Sequence, residues 1–252
     1  MASSKEFELN EVGWWSHWVN LRWTGANSYV MLSSDFEEHF FNRAGFVDCK
    51  GATEAIPVIE AEFEEVGRRP CIMVQEECRD VADTLGMQNY TVFDRMLVLR
   101  LDRPGFKTAE HLTILLGQEV LADDWAAAYS SSFYGGSQVQ DSVSRITGRL
   151  MRDPAVTLFA GTREGMTIGV LAAFRTPGLL GVYCVGTLDK YRRTGVAGSL
   201  IREASRVAYG EDRVLILQTM LSDGVENFYS RGGFSRLYLK HFFRRQYPGL
   251  IR

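Results

Sequence analysis

The segment YRRTGVAGSLIREA, Tyr191–Ala204, follows the apolar run LLGVYCVGTL, 179–188, and opens a stretch with helical spacing. Leu200, Ile201, Ala204, Val207 and Ala208 share one side of that helix, and Gly210 marks its end. A strand that turns directly into a helix leaves backbone N–H groups without intrahelical partners, and the aligned peptide dipoles place partial positive charge there. Gly195 and Gly198 let the main chain bend and approach an anion, while Arg192 and Arg193 add donors. A pyrophosphate is the expected occupant. Ser199-Leu200 stands where a P-loop needs Lys-Ser or Lys-Thr, and the GxGxxG dinucleotide pattern is missing. The alternative at this point is a tight strand-to-helix connection with two solvated arginines.

Before the turn, AEHLTILLGQEVLADDWAAAYSSSF (109–133) and VQDSVSRITGRLMRD (139–153) read as helices, followed by strands AVTLFAGTRE, MTIGVLAAFRT and LLGVYCVGTL. After it come the helix, a buried strand RVLILQTM, a short helix DGVENFYSRG and an alternating strand FSRLYLKHFFRR. This order predicts an α/β fold with a mixed sheet covered by helices. The break LRLDRPGFKTAEH (99–111) puts a domain boundary near residue 106, giving domains 1–106 and 107–252. The first half echoes the second: RPCIMVQ (69–75) resembles RVLILQ (213–218), and each precedes a helix and an alternating strand. That echo predicts two tandem copies; an unrelated cap is the alternative.

The chain has 252 residues, is 46% hydrophobic and carries a net charge of -3, which gives no global pull toward nucleic acid or an anionic membrane. Arg244 and Arg245 are expected to be solvated. No apolar stretch is long enough to cross a bilayer, and the start MASSKEFELNEVG lacks the order of a signal peptide, so a cytoplasmic location is expected. Cys49, Cys71, Cys78 and Cys184 show no CxxC spacing and the four histidines are scattered, so reduced, mostly buried thiols and no metal are expected. GWWSHWVNLRW predicts a helix with Trp14, Trp18 and Arg22 at i, i+4 steps, and EEHFFNRAGF a second helix; the aromatics read as packing.

RRTGVA, Arg192–Ala197, resembles the R/Q-x-x-G-x-G/A signature of the GNAT superfamily of N-acetyltransferases, and FYSRGGF, Phe228–Phe234, resembles that family's Y-x-K/R-x-G-F segment. The resemblance covers about residues 107–245 and implies an acetyl-coenzyme A-binding fold, complete only in the C-terminal copy. It implies that the loop Arg192, Arg193, Thr194, Gly195, Val196, Ala197, Gly198 and Ser199 holds the pyrophosphate, and that the backbone of Val185, Gly186 and Thr187 bonds the pantetheine arm. Ser222 stands where the family often has an asparagine on the cofactor, and Asp189 replaces a common proline. Tyr229 matches the tyrosine that protonates the departing sulfur, a role suited to a phenol with an ordinary pKa near 10.

The implied activity is transfer of acetyl from the thioester to a primary amine of a small molecule or peptide, without metal. The strand before the loop has no carboxylate where several members carry one, so no general base is assigned; Asp123, Asp124 and Glu119, on the helix read over 109–133, are expected to be solvated. A non-catalytic acyl-coenzyme A sensor or assembly module is the alternative. Cys184 reads as a core thiol, with strand alternation turning it away from the thioester. Ala82 matches Tyr229 in the first half, which lacks an arginine-glycine loop and is expected not to bind coenzyme A. The acceptor and the oligomeric state carry no motif.

Overall fold

The computed structural model describes residues 3–246. In chain order the elements are α1 (Ser4–Trp15), β1 (Asn20–Trp23), β2 (Ser28–Leu32), β3 (Arg43–Phe46), α2 (Ala52–Glu65), β4 (Cys71–Gln75), α3 (Arg79–Met87), β5 (Tyr90–Leu101) and β6 (Thr113–Leu116). There follow α4 (Ala122–Tyr134), α5 (Gln140–Leu150), β7 (Val156–Arg163), β8 (Met166–Thr176), β9 (Leu179–Thr187), α6 (Val196–Gly210), β10 (Val214–Met220), α7 (Glu226–Arg231) and β11 (Phe234–Arg245). The chain forms two compact units that interleave along the sequence. Among the described residues, the first comprises 3–98, 219–225 and 236–246; the second comprises 99–218 and 226–235.

In the second unit the strand order is β10-β9-β8-β7-β6. β9 and β10 run parallel, whereas β6 to β9 pair antiparallel with their neighbours. Helices α4 and α6 both pack on β8 and β9. β8 is therefore covered on both faces, and Ile168 to Phe174 is buried without alternation. Leu200, Ile201, Ala204 and Ala208 form the buried face of α6, as their spacing predicts. The long helix expected over 109–133 is corrected: residues 113–116 form an edge strand on β7, and α4 begins only at Ala122. Gly117, at φ +57°, breaks the segment between the two, and the Glu119 carboxylate accepts from the Leu116 N–H instead of facing an acceptor from a helix.

In the first unit the order is β1-β2-β3-β4-β11-β5. β4 pairs antiparallel with 240–244 of β11, from the far end of the chain, with Met73 opposite Phe242. Two expected helices are absent from their predicted places. α1 stops at Trp15, so Trp18 lies in a turn and Arg22 in β1; EEHFFNRAGF forms a turn that enters β3. The tryptophans do serve packing, with Trp14, Trp15 and Trp18 all buried and their rings within 5.8–6.1 Å of each other. Arg244 and Arg245 are not free in solvent: one guanidinium lies 4.3 Å over Phe93, and the other pairs with Glu60 at 3.1 Å.

The four cysteines are not all reduced. Cys49 and Cys78 form a disulfide with Cα atoms 5.2 Å apart, joining the loop before α2 to the start of α3. Nothing in their spacing announced it, because two separate strand-to-helix turns bring them together. Cys71 is buried, and its thiol is pushed up to about 12 by that burial.

Candidate functional site

The parallel pairing of β9 with β10 runs from Leu179 opposite Val214 to Val182 opposite Leu217, and Tyr183–Thr187 continue beyond it. In that overhang the register to β8 shifts: Val170 faces Gly186, but Ala172 faces Tyr183. Cys184 and Val185 thus share the place opposite Leu171. Cys184 adopts φ +55°, a conformation costly for a residue with a Cβ. A bulge takes a backbone group out of the ladder and re-aims its neighbours. Cys184 is half-buried as a residue while its thiol is buried, and the bulge rather than regular alternation sets its direction. Burial still holds its thiol well above the ordinary value, so it is a poor nucleophile at neutral pH.

After β9 the chain makes a 3-10 turn at Asp189–Tyr191, passes Arg193 at φ 63° and Gly195 at φ 94°, and enters α6. Among the described residues, no acceptor is found for the backbone N–H groups from Arg193 to Gly198; the first N–H that is satisfied belongs to Ser199, which donates to the Gly195 carbonyl at 2.9 Å. Six successive N–H groups without such an acceptor at the start of a 15-residue helix concentrate positive polarisation there. Beside it, the buried hydroxyls of Thr187 and Ser132 have no hydrogen-bond partner. These features fit a coenzyme A diphosphate on the loop and its amide-bearing arm along the unpaired edge of β9.

The side chains of the loop are less available than its backbone. Arg192 donates through Nη2 to the Ser132 carbonyl at 2.9 Å and through Nε to the Thr187 carbonyl at 3.3 Å, and it pairs with Asp189 at 2.8 Å. It brackets the last turn of α4 to the end of β9. Thr194 Oγ1 donates to the Tyr191 carbonyl, and Ser199 Oγ accepts from the Ala109 N–H. Arg193 is exposed.

Tyr229, on α7 of the same unit, is buried, with its ring 5.1 Å from Phe228 and 5.7 Å from Phe234. The Ser222 hydroxyl donates to Asp94 at 2.7 Å. Asp123 and Asp124 are exposed.

The first unit contains a comparable strand-to-helix turn with different chemistry. Gly51, at φ 73°, caps α2 much as Gly195 caps α6. A cavity of about 430 Å³ there, beside Cys49, Gly51 and Cys78, is lined by three carboxylates, Glu54, Glu77 and Asp80, against one guanidinium, Arg79. Carboxylates thus stand at the positive ends of α2 and α3, where they favour the helices and repel a phosphate.

Sequence reasoning missed the buried ionic cluster of the first unit. Lys240 Nζ meets Glu8 at 2.8 Å and also contacts Glu11; Arg43 Nη2 meets Glu11 at 2.8 Å, and Tyr238 donates to Glu8 at 2.6 Å. The available signal was two glutamates on the same side of α1 as Val12 and Trp15. Among the described residues, no group of side chains suits a metal ion, and no helix is long and apolar enough to cross a membrane.

No protein-family model matches the sequence, and no curated protein matches it. Solved structures do. A GCN5-related N-acetyltransferase from Kribbella flavida aligns with a TM-score of 0.70 at 18% identity over 99% of this chain and 97% of that one. A GCN5-related N-acetyltransferase from Sphaerobacter thermophilus aligns at 0.61 with 16% identity, covering 90% and 82%. A tandem GNAT protein from the clavulanic acid biosynthesis pathway aligns at 0.60 with 12% identity, covering 86% and 81%. With its mixed sheet, bulged β9 and glycine turn into α6, the chain has the fold of the GCN5-related N-acetyltransferases.

Proposed function

We propose that this protein is an acetyl-coenzyme A-dependent N-acetyltransferase that acetylates a primary amine of a small molecule or peptide, with its cofactor site in the second unit. The observation that carries the reading is the run of acceptor-free N–H groups from Arg193 to Gly198 beside the unpaired end of β9. A thioester supplies an activated acetyl group once bound there. The N–H row holds the diphosphate, and the backbone of Val185, Gly186 and Thr187 receives the pantetheine arm as an added strand. The bulge aims a main-chain donor near Val185 at the carbonyl oxygen as charge develops on it. The neutral amine attacks the thioester carbonyl carbon and the carbon–sulfur bond breaks; Tyr229 Oη gives its proton to the departing sulfur, and the proton shed by the acylated nitrogen returns to the tyrosine through solvent. The acidic cavity of the first unit leaves that half without a cofactor site of its own, consistent with a degenerate repeat.

Tyr229→Phe tests the assignment in a screen of amines that reads thiol release from acetyl-coenzyme A. Turnover is expected to fall by roughly 10²–10⁴ with cofactor affinity kept; turnover at the wild-type rate removes Tyr229 from the chemistry. The competing reading as a sensor predicts cofactor binding with silence toward every amine.

A further inference from the structure

The segment joining the two halves of the sequence is tied to Gly232, Gly233 and Ser199 of the second unit. The Asp102 N–H donates to the Gly233 carbonyl at 3.0 Å, the Gly105 N–H to the Gly232 carbonyl at 2.9 Å, and the Ala109 N–H to Ser199 Oγ at 2.9 Å. Phe106 sits between these ties. Its ring centroid lies 5.1 Å from that of Phe228 and 6.0 Å from that of Phe234, the two rings that flank Tyr229. A Cβ added to Gly232 would fall within the Phe106 ring, and one added to Gly198 would stand 3.0 Å from the Phe106 Cβ. One side chain therefore touches the first turn of α6 and both neighbours of Tyr229, through two positions kept free of side chains.

Helix α7 is only six residues long, too short to persist without tertiary packing. We propose that Phe106 is a positioning residue: it fixes α7, and with it Tyr229 Oη, against the helix that carries the N–H row. The proposal rests on reading Tyr229 as the proton donor. Phe106 itself contacts no reacting atom; it acts through Phe228 and Phe234. The segment between the halves is then a working part of the cofactor unit, and Gly232 is a glycine because this ring lies on it.

The test uses coenzyme A as the probe, with calorimetry and crystal structures of the wild type, Phe106→Ala, Phe106→Leu and Gly232→Ala. In the wild-type complex Tyr229 Oη is expected within hydrogen-bond reach of the thiol, about 3 Å. Phe106→Ala should keep coenzyme A affinity within about threefold, because the N–H row is intact, while Tyr229 Oη moves by about 1 Å or more, a displacement large enough to matter for catalysis. Phe106→Leu, which refills much of the space, should restore Tyr229. Gly232→Ala should reproduce the displacement by pushing the ring, and adding it to Phe106→Ala should worsen nothing, as expected for two changes at one contact.

An unmoved Tyr229 in Phe106→Ala overturns the proposal. Should that variant fail to fold, an unmoved Tyr229 in Gly232→Ala overturns it equally. Wild-type protein that binds no coenzyme A removes the function reading and this proposal together, whereas bound coenzyme A with Tyr229 turned away removes the role of Tyr229 and leaves the N–H row standing.

Discussion

At the scale of single residues, Gly195 shows how little freedom the cofactor turn has. Its φ of 94° is a region that costs other residues about 1–2 kcal/mol, and an added Cβ would stand 2.7 Å from both the Ala109 nitrogen and the Thr108 carbonyl carbon. Gly195→Ala should lower the thermal midpoint and weaken acetyl-coenzyme A binding. Gly86→Ala, in α3 with open space around it, should leave the midpoint unchanged or raise it, as an alanine in a helix does. Equal effects from the two substitutions would contradict the account of the turn. The sequence shows which positions are glycines; it does not show that the segment 106–109 presses on Gly195 and Gly198, because that approach joins residues about ninety positions apart.

The buried glutamates differ in a way that only their surroundings decide. Burial pushes the Glu8 carboxyl up, Lys240 offsets this only in part, and Glu11 adds to it, so Glu8 stays above its ordinary value of 4.5. Burial also pushes Glu11 up, but Lys240 and Arg43 more than reverse it, so Glu11 lies below 4.5. A lowered carboxyl contributes stability that is present above its unfolded value and is lost as pH falls through its folded value; a raised one shifts the balance the other way. Glu11→Gln should therefore cost more at pH 7 than Glu8→Gln, and it should flatten the loss of stability on the acid side. Urea unfolding of the two variants at pH 7 and pH 4 reads this directly, and a larger cost for Glu8→Gln at pH 7 would contradict it.

At the scale of elements, the second half was legible where one signal dominated. Helix α6 followed from Leu200, Ile201, Ala204 and Ala208, and β8 from an unbroken apolar run. Thr113–Leu116 was misread because four residues cannot separate a strand from the first turn of a helix, and the deciding partners on β7 lie more than forty residues away. The bulge at Cys184 left no trace in composition, since β9 alternates no differently there. The Cys49–Cys78 bridge is a comparable long-range fact. Its closure spans 29 residues, for which chain entropy gives about 3–4 kcal/mol. Reduction with dithiothreitol, or Cys49→Ser, should lower the urea midpoint accordingly. An unchanged midpoint would mean the bridge contributes nothing to stability.

At the scale of the whole molecule, the two compact units do not follow the two halves of the sequence. β4 is completed by 240–244 of β11, and residues 219–225, the end of β10 and the turn before α7, belong with the first unit. The echo between RPCIMVQ and RVLILQ hinted at a repeat, but no local pattern could reveal strands contributed from the far end of the chain. What separates the halves chemically is the content of their turns: free N–H groups before α6, and carboxylates with a disulfide before α2 and α3. Amide hydrogen exchange with saturating acetyl-coenzyme A compares the two turns in one experiment. Slowed exchange at Thr194–Gly198, with Gly51–Glu54 unchanged, is the predicted result; protection at Gly51–Glu54 instead, or at neither turn, would contradict the account.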